Sequence, residues 1–251
     1  MKIQSMNKNI FLLLIVLAVL ISCNKKESSE FYIIKGEIEN FEGDIFLSPG
    51  IDTLYYSNNF REDTATVVDG KFKFKLSTKI ETPLPFAIRS SNSIFTMFFL
   101  LEPQNQELIL DSIDFGKYPT IVGEYQLLYD EQDLLIERMR SSKEKLASSM
   151  NEIYSSNYSN DSILKLVDIA KNKFKKSSLF SISEFSKDYP DSYVSFWYLA
   201  LSQMIYGYDI EIENAYNNLS QKIKNSDVAK LFEQKLLMSK VSQTGSTFPA
   251  N

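Results

Sequence analysis

The sequence predicts an α+β fold: a small antiparallel β-sandwich or open barrel, followed by a helical module of about five helices. Three observations carry that prediction. Residues 31–122 hold short apolar runs separated by turn residues and prolines, the pattern of an all-β segment. Within them, lysine alternates strictly with an apolar residue directly after Asp69-Gly70. From residue 124 onward, apolar residues recur at helical intervals instead.

The chain opens with a segment of a different kind. Lys2 and Lys8 form a positive start, residues 10–21 are apolar, and Leu20-Ile21-Ser22-Cys23 has the order of a lipobox. The apolar run of 12 residues is shorter than the roughly 20 a membrane-spanning helix needs. Residues 1–22 are therefore expected to be a lipoprotein signal peptide, cleaved between Ser22 and Cys23. Cys23, the single cysteine of the chain, is the expected site of lipidation. Residues 23–30 are polar and form the expected tether, with a folded β domain over 31–123.

Asp69-Gly70 is a preferred two-residue hairpin turn, because both central positions need positive φ. After it, Phe72, Phe74 and Leu76 share one face while Lys71, Lys73 and Lys75 share the other, so one side is core and one is solvent. Further strands are expected at 31–38, 44–48, 86–89, 94–101, 107–110 and 120–122. The run at 94–101 is almost wholly apolar, which suits a strand covered on both faces. Pro83, Pro85 and Pro103 fall between runs, where proline removes no ladder hydrogen bond.

The helical domain is expected over 124–241. Leu128, Leu135, Met139, Leu146, Met150 and Ile153 mark the apolar stripe of the first helix. Residues 158–160 break it, and Asp161 or Ser162 can cap the second, whose apolar side is Ile163, Val167, Ala170 and Phe174. Pro190-Asp191-Ser192 starts a third that is apolar almost all round and so central. Two shorter helices are expected at 212–223 and 228–241, the latter capped by Ser226.

Composition excludes much chemistry. There is no histidine, so Ser-His-Asp triads, Cys-His pairs and His-ligated zinc are ruled out. With Cys23 taken by lipid, no thiol is left for a C-x-x-C pair or a disulfide. No phosphate-binding glycine loop occurs. No catalytic residue, metal site or cofactor is expected. Removal of residues 1–22 takes away Lys2 and Lys8 and no acid, so net charge moves from −5 to −7. That disfavours nucleic acid or anionic lipid as a general partner.

Several pieces match a known family in order and spacing: Ile34-x-Gly36-x-Ile38, Asp63-Thr64-Ala65 leading to Asp69-Gly70-Lys71-Phe72-x-Phe74, Phe98-Phe99-Leu100-Leu101-Glu102-Pro103, and Ile121-x-Gly123. Residues 31–122 so resemble the uncharacterised N-terminal domain of thioredoxin-like thiol–disulfide oxidoreductase lipoproteins of Gram-negative bacteria. Pro190-Asp191-Ser192 looks like that family's linker to its redox domain. Gly245-Ser246-Thr247-Phe248-Pro249-Ala250-Asn251 resembles the opening segment of a peroxiredoxin-type thioredoxin fold, so residues 242–251 are expected to be the truncated start of an absent thioredoxin-like domain. The resemblance implies a redox context. None of the family's catalytic residues has a matching position in this chain.

Other clusters admit two readings. Asp111 with Asp114, Asp130-Glu131 with Asp133, and Asp209 with Glu211 and Glu213 could hold calcium or form a general acid/base pair, but none has calcium-loop spacing and a solvated face is expected. The Lys71, Lys73 and Lys75 row is expected to be a solvent face that discourages edge pairing. Trp197, Tyr206 and Tyr208 form a candidate ligand or partner surface. Asp52-Thr53-Leu54, Asp63-Thr64-Ala65, Asp111-Ser112-Ile113 and Asp161-Ser162-Ile163 resemble the acceptor tripeptide of O-glycosylation in exported bacterial lipoproteins.

The expected protein is a non-catalytic lipoprotein module that positions, dimerises or docks a periplasmic thiol–disulfide oxidoreductase domain or partner. Its expected partners are the lipid bilayer, through acylated Cys23, and a periplasmic redox protein or a second copy of itself. It is expected to face the periplasm, the outer membrane being preferred because Asn24 is not the aspartate that retains lipoproteins at the inner membrane. One alternative is a stand-alone peptide- or glycan-binding lipoprotein. Another is the N-terminal remnant of a disrupted oxidoreductase.

Overall fold

A computed structural model describes residues 32–56, 60–76, 80–90, 97–110, 120–122 and 127–244. The expected cleavage site at Ser22 and Cys23, the tether and the tail after residue 244 lie outside the described residues.

Eight strands form two four-stranded sheets among the described residues: β1 Tyr32–Ile38, β2 Gly43–Pro49, β3 Asp63–Val67, β4 Lys71–Leu76, β5 Leu84–Ser90, β6 Met97–Leu101, β7 Gln106–Leu110 and β8 Thr120–Val122. One sheet has the order β4-β1-β7-β8 and the other β3-β2-β5-β6, and neither closes into a barrel. The α+β class stands. One pairing departs from the antiparallel expectation: β1 runs parallel to β7, with Ile34 opposite Gln106 and Ile38 opposite Leu110. Gly36 permits that approach. A Cβ there would stand 2.3 Å from the Leu108 carbonyl oxygen and 2.5 Å from the Phe72 ring.

The Asp69-Gly70 turn forms with φ of 51° and 72°. Val68 and Lys71 exchange two backbone hydrogen bonds of 3.0 Å across it. The hairpin expected beyond it does not continue. β3 pairs with β2 and β4 with β1, so the chain changes sheets at this turn. Alternation explains the outcome: Ala65 and Val67 on β3, and Phe72, Phe74 and Leu76 on β4, all bury against the shared core from different sheets. Lys71, Lys73 and Lys75 stay exposed on an edge strand, as expected. β5 and the end of β6 are buried on both faces, as the apolar run suggested.

Six α-helices follow among the described residues: α1 Leu127–Ser155, α2 Asn160–Asp188, α3 Tyr193–Tyr206, α4 Ile210–Asn217, α5 Gln221–Lys224 and α6 Asp227–Thr244. α2 starts earlier than expected because Ser159, not Asp161 or Ser162, is its cap, accepting from the Ser162 amide at 3.4 Å. α3 starts after Pro190-Asp191-Ser192 as expected, with Ser192 as its cap, and the Ser226 hydroxyl accepts from Ala229 in α6, also as expected. The helix expected at 212–223 is split. At residues 218–220 the chain turns so that the Ser220 amide reaches the Pro190 carbonyl at 2.9 Å.

One continuous hydrophobic core joins sheets and helices, with Phe74 and Leu108 from the first sheet, Leu47 and Phe86 from the second, and Phe185, Phe196, Trp197 and Phe232 from helices. α1 and α2 each have 29 residues, about 43 Å of helix. Their base, Leu135 and Met139 against Leu179, Ile182 and Phe185, belongs to this core. Their tip has a separate small cluster of Ile153, Val167 and Ala170. No described helix is long and apolar enough to cross a membrane.

Candidate functional site

A cleft among the described residues lies where the β segment meets α3 and α6. Asp52 caps a 3-10 turn, Thr53–Tyr55, by accepting from the Leu54 amide at 3.0 Å. Its other oxygen takes the ammonium of Lys235, from α6. The Leu54 amide, and then Lys235, hold the Asp52 carboxyl below its ordinary range. Lys235 Nζ also sits 5.5 Å from the Tyr55 ring centroid.

Tyr55 is the buried member. Its ring packs edge-on against Trp197, centroids 5.2 Å apart at 84°. Its hydroxyl is buried with no hydrogen-bond partner among the described residues. Burial, and then the Asp52 charge, push that phenol well above its ordinary range. A hydroxyl so placed is a neutral donor at every physiological pH.

A cavity of 340 Å³ opens above these groups, lined also by Gln203, Met204, Gly207 and Met238. Gln203 Nε2 donates to Ser239 Oγ at 2.8 Å and ties α3 to α6 along its wall. Gly207 ends α3 at φ 72°, and a Cβ there would stand 2.9 Å from Gln243 Nε2. Leu54, Met204 and Met238 stand half or more exposed beside the cleft. Methionines at an open rim adapt to partners of varied shape.

Trp197, expected on the ligand surface, is fully buried, and this corrects the expectation. Its indole nitrogen donates to the Pro83 carbonyl at 2.8 Å and locks α3 to the strand segment. An aromatic with an N–H is retained in a core when a carbonyl meets it. Tyr206 and Tyr208 are half-buried at the end of α3 and do not line the cavity. Lys175 lies 5.3 Å from the Tyr206 ring. The Tyr208 hydroxyl donates to Glu213 at 2.5 Å, and Lys240 pairs with the same carboxylate at 2.9 Å. The surface expected from these three aromatics is therefore not formed as one.

The acidic clusters divide similarly. Asp111 and Asp114 lie outside the described residues. Asp130 and Asp133 are exposed, but Glu131 turns inward and accepts from Ser192 Oγ, contrary to the expectation of a solvated face. Burial raises the pKa of Glu131, and of Glu102, whose carboxyl feels the Glu131 charge as a further upward push. Asp209 caps α4 and pairs with Lys175 at 2.7 Å. No group of three or more metal-ligating acids occurs among the described residues. Sequence reasoning missed Tyr55 and Lys235. Asp52 and Lys235 lie 183 positions apart, so no local spacing joins them.

Residues 32–126 match the family model described as Domain of unknown function (DUF4369). That stretch covers the β segment, including Asp52 and Tyr55, and ends just before α1. No curated protein and no solved structure matches the chain.

Proposed function

We propose that this protein is a non-catalytic, lipid-anchored module that docks and positions a thiol–disulfide oxidoreductase domain in the periplasm. The observation that carries the docking part is the cleft beside Leu54, Met204 and Met238: an exposed apolar rim over a fixed polar floor, on a body whose β and helical parts share one core. A rigid body with an adaptable rim suits holding a partner. The redox identity of that partner is supported by the order of motifs around Gly36, Asp69-Gly70 and Glu102-Pro103. The anchor is supported by the lipobox at Cys23.

Two experiments test the halves separately. Cells fed a clickable fatty acid are expected to label the wild type and not Cys23→Ala; equal labelling sinks the anchor. A purified thioredoxin-like domain titrated onto the full chain is expected to bind roughly tenfold more weakly to Met204→Asp, since a charge is placed in an apolar rim. Unchanged binding, or none to wild type, sinks the docking role.

A further inference from the structure

We propose that the waist of the α1/α2 hairpin is a binding site for a phosphate-bearing ligand. The first ground is charge segregation. Residues 140–176 carry eight Lys or Arg against four Asp or Glu, a net of +4 within a chain of −5. The rest of the protein is thus −9, and the hairpin is a basic segment within it.

The second ground is that these lysines are left unneutralised. Basic groups at the foot of the hairpin have partners: Arg138 with Asp188 at 2.8 Å, Arg140 with Glu137, and Lys175 with Asp209. Lys145 and Lys173, higher up and on facing helices, have no ion pair among the described residues. Placing like charges across one helix–helix crevice costs stability unless an anion sits between them.

The third ground is the crevice itself. A cavity of 240 Å³ opens between α1 and α2, lined by Lys145 and Lys173 and by the hydroxyl residues Ser142, Ser149 and Ser177, with Phe174 in its apolar wall. No carboxylate lines it. Ser142 and Ser177 share one hydrogen bond of 2.5 Å, so one of these hydroxyls is the acceptor and retains a proton to donate. Two ammonium groups with neutral hydroxyl donors suit the several acceptor oxygens of a phosphate ester. A carboxylate ligand would use fewer of these donors.

Free phosphate esters and lipid headgroups present the same chemistry, and the test separates them. The full chain is titrated calorimetrically with inorganic phosphate and glycerol 3-phosphate. It is also co-sedimented with phosphatidylcholine vesicles with or without phosphatidylglycerol. Lys145→Gln combined with Lys173→Gln is expected to weaken whichever binding is seen by roughly tenfold or more, the size expected on losing charge-assisted hydrogen bonds. Lys230→Gln, on α6 and paired with Asp227, is expected to leave it unchanged. Binding to soluble phosphates assigns the site to free esters; binding confined to phosphatidylglycerol vesicles assigns it to headgroups. The proposal is overturned if neither probe binds, if the double variant binds like wild type, or if Lys230→Gln weakens binding equally.

Discussion

The base and the tip of the α1/α2 hairpin are made from the same two helices, yet different things hold them. At the base, Leu135, Met139, Leu179, Ile182 and Phe185 bury against sheets and further helices within one large core. At the tip, Ile153, Val167 and Ala170 have only each other and a few half-buried neighbours. Tyr154, Tyr158 and Leu164 there stand more than half exposed. Helical periodicity continues unchanged from one zone to the other. Continuity of a helix is thus no guide to where its stability comes from; tertiary burial supplies most of it.

The sharpest break of that contrast is Phe185→Ala. Phe185 is fully buried and stacked on Tyr189 at 4.5 Å, so its loss is expected to cost about 3–5 kcal/mol in urea denaturation. Gly36→Ala should follow at about 1–3 kcal/mol, because its methyl would collide with the β7 backbone and force β1 away. A G36A protein as stable as wild type would show that the parallel pair is looser than described. Val167→Ala at the tip is expected to cost no more than about 1–2 kcal/mol. In hydrogen exchange it should speed residues near 150–170 and leave 179–186 unchanged. Speeding of both zones together would mean that the hairpin unfolds as one unit.

The smallest expected effect concerns acid at the hairpin's foot. Glu102 and Glu131 have folded pKa values above 4.5, from burial foremost. Between the unfolded and folded values the native state holds more protons than the unfolded one, so stability falls as pH rises through that window. The contribution is full below about 4.5 and lost above the raised folded values. Glu131→Gln keeps an acceptor for Ser192 and should flatten this slope while raising melting temperature slightly at neutral pH. An unchanged pH slope would dismiss the coupling of these carboxyls to stability.

What could be read along the chain was local. The Asp69-Gly70 turn, the Ser226 cap, and the stripe from Leu128 to Ile153 each depend on residues within a few positions of one another. The parting of β3 and β4 into different sheets depends on partners β2 and β1, which no spacing near the turn encodes. The break near Asn218 depends on Pro190, some thirty positions earlier. The candidate cleft was the least legible part. It needs Asp52, Trp197 and Lys235 from three distant segments, and Trp197 itself misled because an aromatic-rich helix looks alike whether its ring faces a ligand or a carbonyl such as that of Pro83.

The parallel pairing of β1 with β7 also bears on how the protein acquires its fold. Seventy-two positions separate Ile34 from Gln106, and the whole second sheet is threaded between them. Closing so long a loop is entropically costly until the intervening strands have collapsed. The α1/α2 contacts, by contrast, need only a four-residue connection. The hairpin therefore forms early, with the apolar base of its helices still uncovered, and waits for the slow sheet to give that base its partner. During that interval the nascent chain is at its most prone to aggregate.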